Sequence, residues 1–322
     1  MRFRLILHAS LILLLFPMNK VAAQPRVLKV MTFNVRFGSS TGPGDNVWEN
    51  RQNIVIDLIR KYSPHVVGCQ EVLKDQFTDM QRGLASAGYA SLGEGRKGGH
   101  NDEHMAIFYR ADALRLREAG SFWLSETPEL PGSQSWGSAC PRMVTWARFA
   151  YLDGDDEFYF FNTHFDHVSE LARRMSACLV LRRTSDLRDA TAVVLVGDFN
   201  SQNGTSAVWY GLTGQFEQAG SMLTAEEATV CLSILQPYAP GELLPFHDAW
   251  RTAPIKRNDP PAIPPSDWGP RLTALERPID WILYRGKVKA NVIEVVTYNE
   301  NGRYPSDHFP FYAELTLNPA AQ

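Results

Sequence analysis

The sequence predicts an α/β fold in which two sheets pack together with helices on their outer faces. Two observations carry this. Helical and strand-like patterns alternate at the start of the chain and again in its middle, whereas the last elements are mostly strands.

Residues 27–33 alternate apolar and polar side chains as a half-buried strand does, and the run ends on Asn34. Residues 53–61 place Ile54, Val55, Leu58 and Ile59 on one helical face and stop before Ser63-Pro64, where proline disfavours further helix. Val66 to Gln70 is a short apolar strand ending at Glu71, and residues 76–87 read as the next helix. Residues 105–109, 114–124, 144–151 and 158–163 are rich in aromatic and aliphatic residues and read as strands. A helix is expected over 169–183 and a buried strand over 192–197, and strands over 279–284, 287–297 and 311–317 close the chain. Residues 214–245 and the proline-rich 258–270 lack apolar periodicity and read as surface excursions, not as linkers between domains. One domain over residues 24–322 is therefore expected, and the 44% apolar composition can fill its core.

Met1 to Arg4 carry two arginines, the apolar run 5–16 follows, and Val21-Ala22-Ala23 places small residues before Gln24. This is the pattern of a secretory signal peptide over residues 1–23, and it implies a secreted protein. The competing reading, a membrane anchor, is disfavoured by the shortness of the run and by His8 and Ser10 within it. In an oxidising compartment Cys69, Cys140, Cys178 and Cys231 could pair, with connectivities that spacing alone leaves open. Cys69 lies in an apolar strand and is expected to be free. The net charge of −3 argues against a strongly basic, nucleic-acid-coating surface, although a local basic cleft is compatible with that total. A monomer acting on a phosphate ester is expected, with nucleic acid as an alternative substrate.

Polar clusters stand at the ends of apolar strands: Asn34, Glu71, the pair Asp198 and Asn200, and Ser306-Asp307-His308. Each alone reads as ordinary turn chemistry. Together they mark one edge, because strand ends in layered α/β proteins converge where ligands bind. The carboxylates of Glu71, Asp198 and Asp307 and the amides of Asn34 and Asn200 form an oxygen-only set that suits Mg²⁺ or Mn²⁺ better than zinc. His164 and His308 are then available for proton or charge work, and metal, carboxylate and histidine together describe phosphoryl transfer to water.

The segments Met31-Thr32-Phe33-Asn34, Gln70-Glu71-Val72, Asn162-Thr163-His164, Gly197-Asp198-Phe199-Asn200, Ile279-Asp280-Trp281 and Ser306-Asp307-His308 resemble, in order and spacing, the endonuclease/exonuclease/phosphatase superfamily. Further segments, among them Pro141-Arg142-Met143-Val144-Thr145-Trp146, resemble a branch of mostly exported, poorly characterised members. The resemblance implies a four-layer α/β sandwich of two mostly antiparallel sheets and a Mg²⁺-dependent phosphoesterase. On this sequence it implies that Glu71, helped by Asn34 and with Asp307 nearby, holds the metal. Asp198 and Asn200 would orient or deprotonate the attacking water, His308 held by Asp280 would contact phosphoryl oxygens, and His164 would stabilise developing charge. Asp166 follows His164 at the same strand end and is expected at the site by alternation, with His167 facing away. Arg142 could clamp a phosphate, and Arg96 and His104 flank a Gly-rich rim over 93–99, so these complete the candidate substrate-binding set. The branch usually has a glycine where Asp102 stands and an aspartate soon after Trp136, departures that bear on substrate choice. The competing activities are hydrolysis of a small phosphodiester or phosphomonoester and hydrolysis of DNA or RNA. The competing class is a catalytically silent binding module on the same fold. No Gly-x-Ser-x-Gly elbow or Walker loop is present.

Overall fold

The computed structural model describes residues 25–38, 46–187, 192–258 and 278–318. The expected signal segment 1–23 and the proline-rich stretch beyond Asn258 lie outside the described residues. In chain order the elements begin β1 (Arg26–Asn34), α1 (Trp48–Tyr62), β2 (Val66–Val72), α2 (Lys74–Ala85), β3 (Tyr89–Leu92), β4 (His104–Arg110) and β5 (Leu114–Trp123). They continue with β6 (Met143–Tyr151), β7 (Glu157–His164), α3 (Glu170–Ser185), β8 (Ala192–Asp198), α4 (Ala207–Leu212), α5 (Phe216–Ser221) and α6 (Ala225–Leu235). The last are β9 (His247–Asp248), α7 (Ala249–Thr252), β10 (Ile255–Arg257), β11 (Asp280–Gly286), β12 (Val288–Val295) and β13 (Phe311–Leu317).

The strands form a seven-stranded sheet ordered β10-β12-β13-β1-β2-β4-β3 and a six-stranded sheet ordered β5-β6-β7-β8-β11-β9. Pairing is parallel for β1 with β2, β7 with β8 and β10 with β12, and otherwise antiparallel. Strand alternation builds the layers. Leu28 and Val30 of β1 face the core between the sheets, whereas Met31 and Phe33 pack on Val55, Leu58 and Ile59 of α1 and on Phe77 and Met80 of α2. On β8, Val194 and Val196 face the inter-sheet core, and Val193 and Leu195 pack under Val180 and Leu181 of α3. Each such fully buried side chain contributes about 1.5–3 kcal/mol. The result is the expected four-layer sandwich.

Across the gap between the sheets, β1 and β2 face β7 and β8. A Cβ on Gly68 would lie 2.6 Å from Val196 and 2.8 Å from Asn162, so glycine is required there. The fully buried Asn162 of β7 crosses the gap: its Nδ2 donates to the carbonyls of Cys69 and Ala106 at 2.9 and 2.8 Å, and its Oδ1 accepts from Gln70 Nε2 at 2.6 Å.

Residues 214–245 depart from the sequence reading. Instead of an irregular excursion they contain α5 and α6. A capping box between Thr224 and Glu227 starts α6, and a Cys178–Cys231 disulfide ties it to α3, so covalent and capping terms replace the missing apolar periodicity. Cys69 is free and buried, as expected, and Cys140 is also free.

Candidate active site

The strand ends converge on one edge. β1 delivers Asn34 and β2 delivers Glu71; β7 delivers His164 opposite Asp198 of β8, and Asp198 is in turn opposite Asp280 of β11. Asn34 is the hub. Its Nδ2 donates to Glu71 Oε1 at 2.9 Å and to Asp198 Oδ2 at 3.0 Å, and its Oδ1 accepts from the Arg36 amide at 3.0 Å. In this arrangement Asn34 aligns two carboxylates and turns its own oxygen away from them. Glu71 Oε2 accepts the Phe37 amide at 3.0 Å, so each carboxylate oxygen has one donor and keeps a lone pair. The backbone of Glu71 is left-handed at φ 63° and that of Asn200 at φ 45°, conformations that cluster at functional sites.

A second group of residues is drier. Asp280 Oδ2 lies 2.8 Å from His308 Nδ1, and His308 Nε2 lies 3.8 Å from Asp198 Oδ2. Burial disfavours the His308 imidazolium, but the carboxylates of Asp280, Asp198 and Asp307 outweigh it and hold the pKa well above the ordinary value. Burial, with the like charge of Asp280 next, pushes Asp198 up to about 6 against the opposing pull of His308. His164 moves the other way: burial and then Arg142 keep it well below its ordinary pKa, hence neutral. Its Nε2 lies 3.1 Å from Asn200 Nδ2 and 3.5 Å from Asp198 Oδ2, and its Nδ1 is buried without a hydrogen-bond partner. The Asn200 backbone amide donates to Asp198 Oδ1 at 2.9 Å.

The donor atoms of Glu71, His164 and Asp198 lie within 4.8 Å of one another, as do those of Asp198, Asp280 and His308. Asp307 stands outside both groups and pairs with Arg36. Beneath it Ser306 Oγ donates to the Asn34 carbonyl at 2.7 Å, locking the β1 end to the segment before β13. Carboxylate oxygens with free lone pairs, converging beside two buried acids, fit a hard divalent cation.

The candidate substrate-binding residues divide. Arg142 is buried, with Nε in an ion pair to Asp166 Oδ2 at 3.7 Å, Nη1 without a hydrogen-bond partner and Nη2 2.9 Å from His167 Nδ1, and it is close enough to depress His164. Asp166 is corrected: it is buried, and its oxygens accept the amides of Ala139, Val168 and Ser169 at 2.9, 3.0 and 2.7 Å, so it shapes the neighbouring loops. β7 ends at His164, so strand alternation does not reach Asp166. Arg96 is paired with Glu103 and Asp102, each at 2.9 Å, while its buried Nε has no hydrogen-bond partner and its charge adds to the depression of His164. His104 is fully buried, stacked on Phe77 at 5.1 Å with Nδ1 3.0 Å from the Val72 carbonyl, and is not a rim group. His167 is exposed, and Trp123 belongs to the core with Met105 and Met143.

Two residues escaped the sequence reading. Arg51 is buried and donates to the carbonyls of Val35 at 2.8 Å and Pro305 at 2.5 Å, joining the segments that carry Arg36 and Ser306. Burial lowers its pKa to about 10. Nothing in a helical apolar pattern flags it. Glu103 is buried beside Arg96, and burial raises it to about 7. It directly precedes β4, and a carboxylate at a strand boundary is the kind of signal that marked Glu71.

Two sheets meeting at an edge of carboxylates, amides and histidines define a class of metal-assisted ester hydrolases. A sequence model of the endonuclease/exonuclease/phosphatase family matches residues 31–308, and the chain belongs to that family. Its members are divalent-metal-dependent phosphoesterase hydrolases. The chain is similar to the crystal structure of an endonuclease/exonuclease/phosphatase from Bacteroides vulgatus, with 29% identity and a TM-score of 0.73 over 91% of this chain and 99% of that one. It is also similar to a mannosyl-6-phosphatase from Bacteroides thetaiotaomicron, with 27% identity and a TM-score of 0.70 over 89% and 99% of the two chains. An uncharacterised protein of Acanthamoeba polyphaga mimivirus is 28% identical over 184 residues, covering 55% of this chain and 68% of the viral one.

Proposed function

We propose that the protein is an exported, Mg²⁺-dependent phosphoesterase that releases phosphate from a small phosphomonoester, with sugar phosphates as the favoured class. The observation that carries the reading is the Asp280–His308 pair set against Asp198 on the same edge as Glu71. The similarity to a mannosyl-6-phosphatase supports the substrate class, and the net charge of −3 weighs against a polynucleotide. Export is supported by the signal-like first residues and by the Cys178–Cys231 disulfide, which suits an oxidising compartment.

Glu71, set in place by the Asn34 amide, would hold the divalent cation, which when bound supplies positive charge for the phosphoryl oxygens. The chain's own groups do the rest. Asp198, raised to about 6, is a carboxylate at neutral pH with useful basicity, and it accepts a proton from the attacking water while the Asn200 amide fixes its orientation. The charged His308, steered by Asp280, donates to a phosphoryl oxygen. Neutral His164, whose Nε2 lies beside Asp198 and Asn200, would stabilise charge developing on the phosphoryl group or the leaving oxygen.

The test is phosphate release from mannose 6-phosphate, other sugar phosphates, bis-p-nitrophenyl phosphate, single-stranded DNA and RNA, with Mg²⁺ and with EDTA. EDTA-sensitive turnover of sugar phosphates is expected. Preferential cleavage of DNA or RNA would replace the reading with a nuclease, and a folded protein that is silent across the panel would favour a binding module.

A further inference from the structure

Far from the strand-end edge, the outer face of the six-stranded sheet carries an aromatic surface that phosphoester hydrolysis does not use. Trp146 of β6 and Tyr159 and Phe161 of β7 stand there as cross-strand and next-but-one neighbours. Their ring centroids form a nearly equilateral triangle with sides of 6.2, 6.3 and 6.5 Å, and their planes are inclined by 36°, 26° and 25°. Together they form one aromatic floor, in which Phe161 is buried and the Arg148 guanidinium lies 5.8 Å from the Tyr159 ring centroid.

Two features show how the floor is built. Gly120 of β5 lies opposite Trp146, and a Cβ there would come within 3.0 Å of the indole, so the missing side chain lets the tryptophan lie down on the sheet. Where the cover of α3 ends, Arg183, Asp186 and Leu187 wall the floor into a concavity of about 140 Å³. Trp146 and Tyr159 remain half-buried.

The charges around this floor select among ligands. Arg183 is paired with Glu129, and Arg148 is held by Glu157 with Nε at 3.0 Å. The neighbouring cations are thus neutralised, and a polyanion would gain little electrostatically from this face. The polar walls, in turn, do not suit a purely apolar guest. What fits is an uncharged ring with an apolar face and hydroxyls at its rim: C–H bonds carrying partial positive charge rest on the negative faces of the aromatic rings, and the rim hydroxyls meet the side walls.

We propose that this floor is a carbohydrate-docking site that takes a neutral pyranose of a polysaccharide. His164 lies five residues beyond Tyr159 on β7, roughly 16 Å at about 3.3 Å per residue, so the site is separate from the hydrolytic edge. The inference does not depend on which ester the edge hydrolyses.

The experiment is affinity gel electrophoresis of the full chain in gels containing mannan, dextran, xylan or laminarin, with a single-stranded oligonucleotide gel-shift in parallel. Retardation by at least one polysaccharide is expected. Tyr159→Ala and Trp146→Ala should each weaken it roughly three- to tenfold, the scale of one aromatic contact. Tyr159→Ala, on the more forgiving half-buried position, carries the test if Trp146→Ala fails to fold, and an unchanged melting temperature certifies it. Absence of retardation by every polysaccharide overturns the proposal, as does retardation that Tyr159→Ala leaves intact. An oligonucleotide shift abolished by Tyr159→Ala, without polysaccharide binding, overturns it in favour of base stacking.

Discussion

The units β1-α1-β2 and β7-α3-β8 have the same build, two adjacent parallel strands joined by a helix, and each ends in two polar side chains at the same edge. Their chemistry differs. In the first unit Glu71 is half-buried and held by the Asn34 amide and a backbone N–H, so its charge is kept in place by hydrogen bonds. In the second unit His164 and Asp198 are buried, and burial moves their proton affinities in opposite directions. On the proposed function, one architecture thus yields a cation-holding end and a proton-handling end, distinguished by how much water reaches each.

The largest expected effects separate these ends. Asp198→Ala should lower kcat by on the order of 10³-fold while leaving Mg²⁺ binding measurable by titration calorimetry, as loss of a proton-handling group does. Glu71→Gln should lower activity by roughly 10²-fold and weaken Mg²⁺ binding itself. If the two variants show the same calorimetric titration, the division between the ends is wrong.

A smaller effect distinguishes the units by pH. His65, just before β2, accepts the Lys29 amide on Nδ1 at 2.9 Å, and burial, then Lys29, lowers its pKa to about 4. The unfolded chain therefore takes up a proton near pH 6.5 that the folded chain refuses until about pH 4. Stability present above pH 6.5 is lost as the pH falls across that window. His65→Asn should flatten the acid decline of the melting temperature but leave the acid limb of kcat/KM, which belongs to the second unit, where it was. A limb that moves with His65 would tie catalysis to the first unit.

The smallest effect concerns what joins the units. Asn162→Ala removes the side-chain donor to the carbonyls of Cys69 and Ala106 in the dry space between the sheets and takes one acceptor from Gln70 Nε2, which keeps Thr32 Oγ1 and the Gly68 carbonyl. A loss of about 2–4 kcal/mol in denaturant unfolding is expected, with Mg²⁺ affinity reduced less than in Glu71→Gln.

Both units were legible in the sequence because their signals are local. Strand alternation from Val27 to Phe33, the helical face of Ile54, Val55, Leu58 and Ile59, and polar residues at apolar strand ends need no knowledge of partners. What was not legible is what depends on contacts distant in the chain. Arg51 became a buried clamp because Val35 and Pro305 come together in space. Asp166 lost its expected role because backbone amides from two loops reached it first. The strands β9 and β10 are too short to show a period, and α6 owes its place to a cysteine partner 53 residues away.

The left-handed backbone at Glu71 bears on how this protein could be altered. At φ 63° a glycine or asparagine is more comfortable than a glutamate. A selection scheme that rewards heat resistance alone would therefore press on the residue proposed to hold the cation and trade turnover for robustness. Any campaign to harden this scaffold should carry an activity screen in every round, with position 71 as the first place to look for escape.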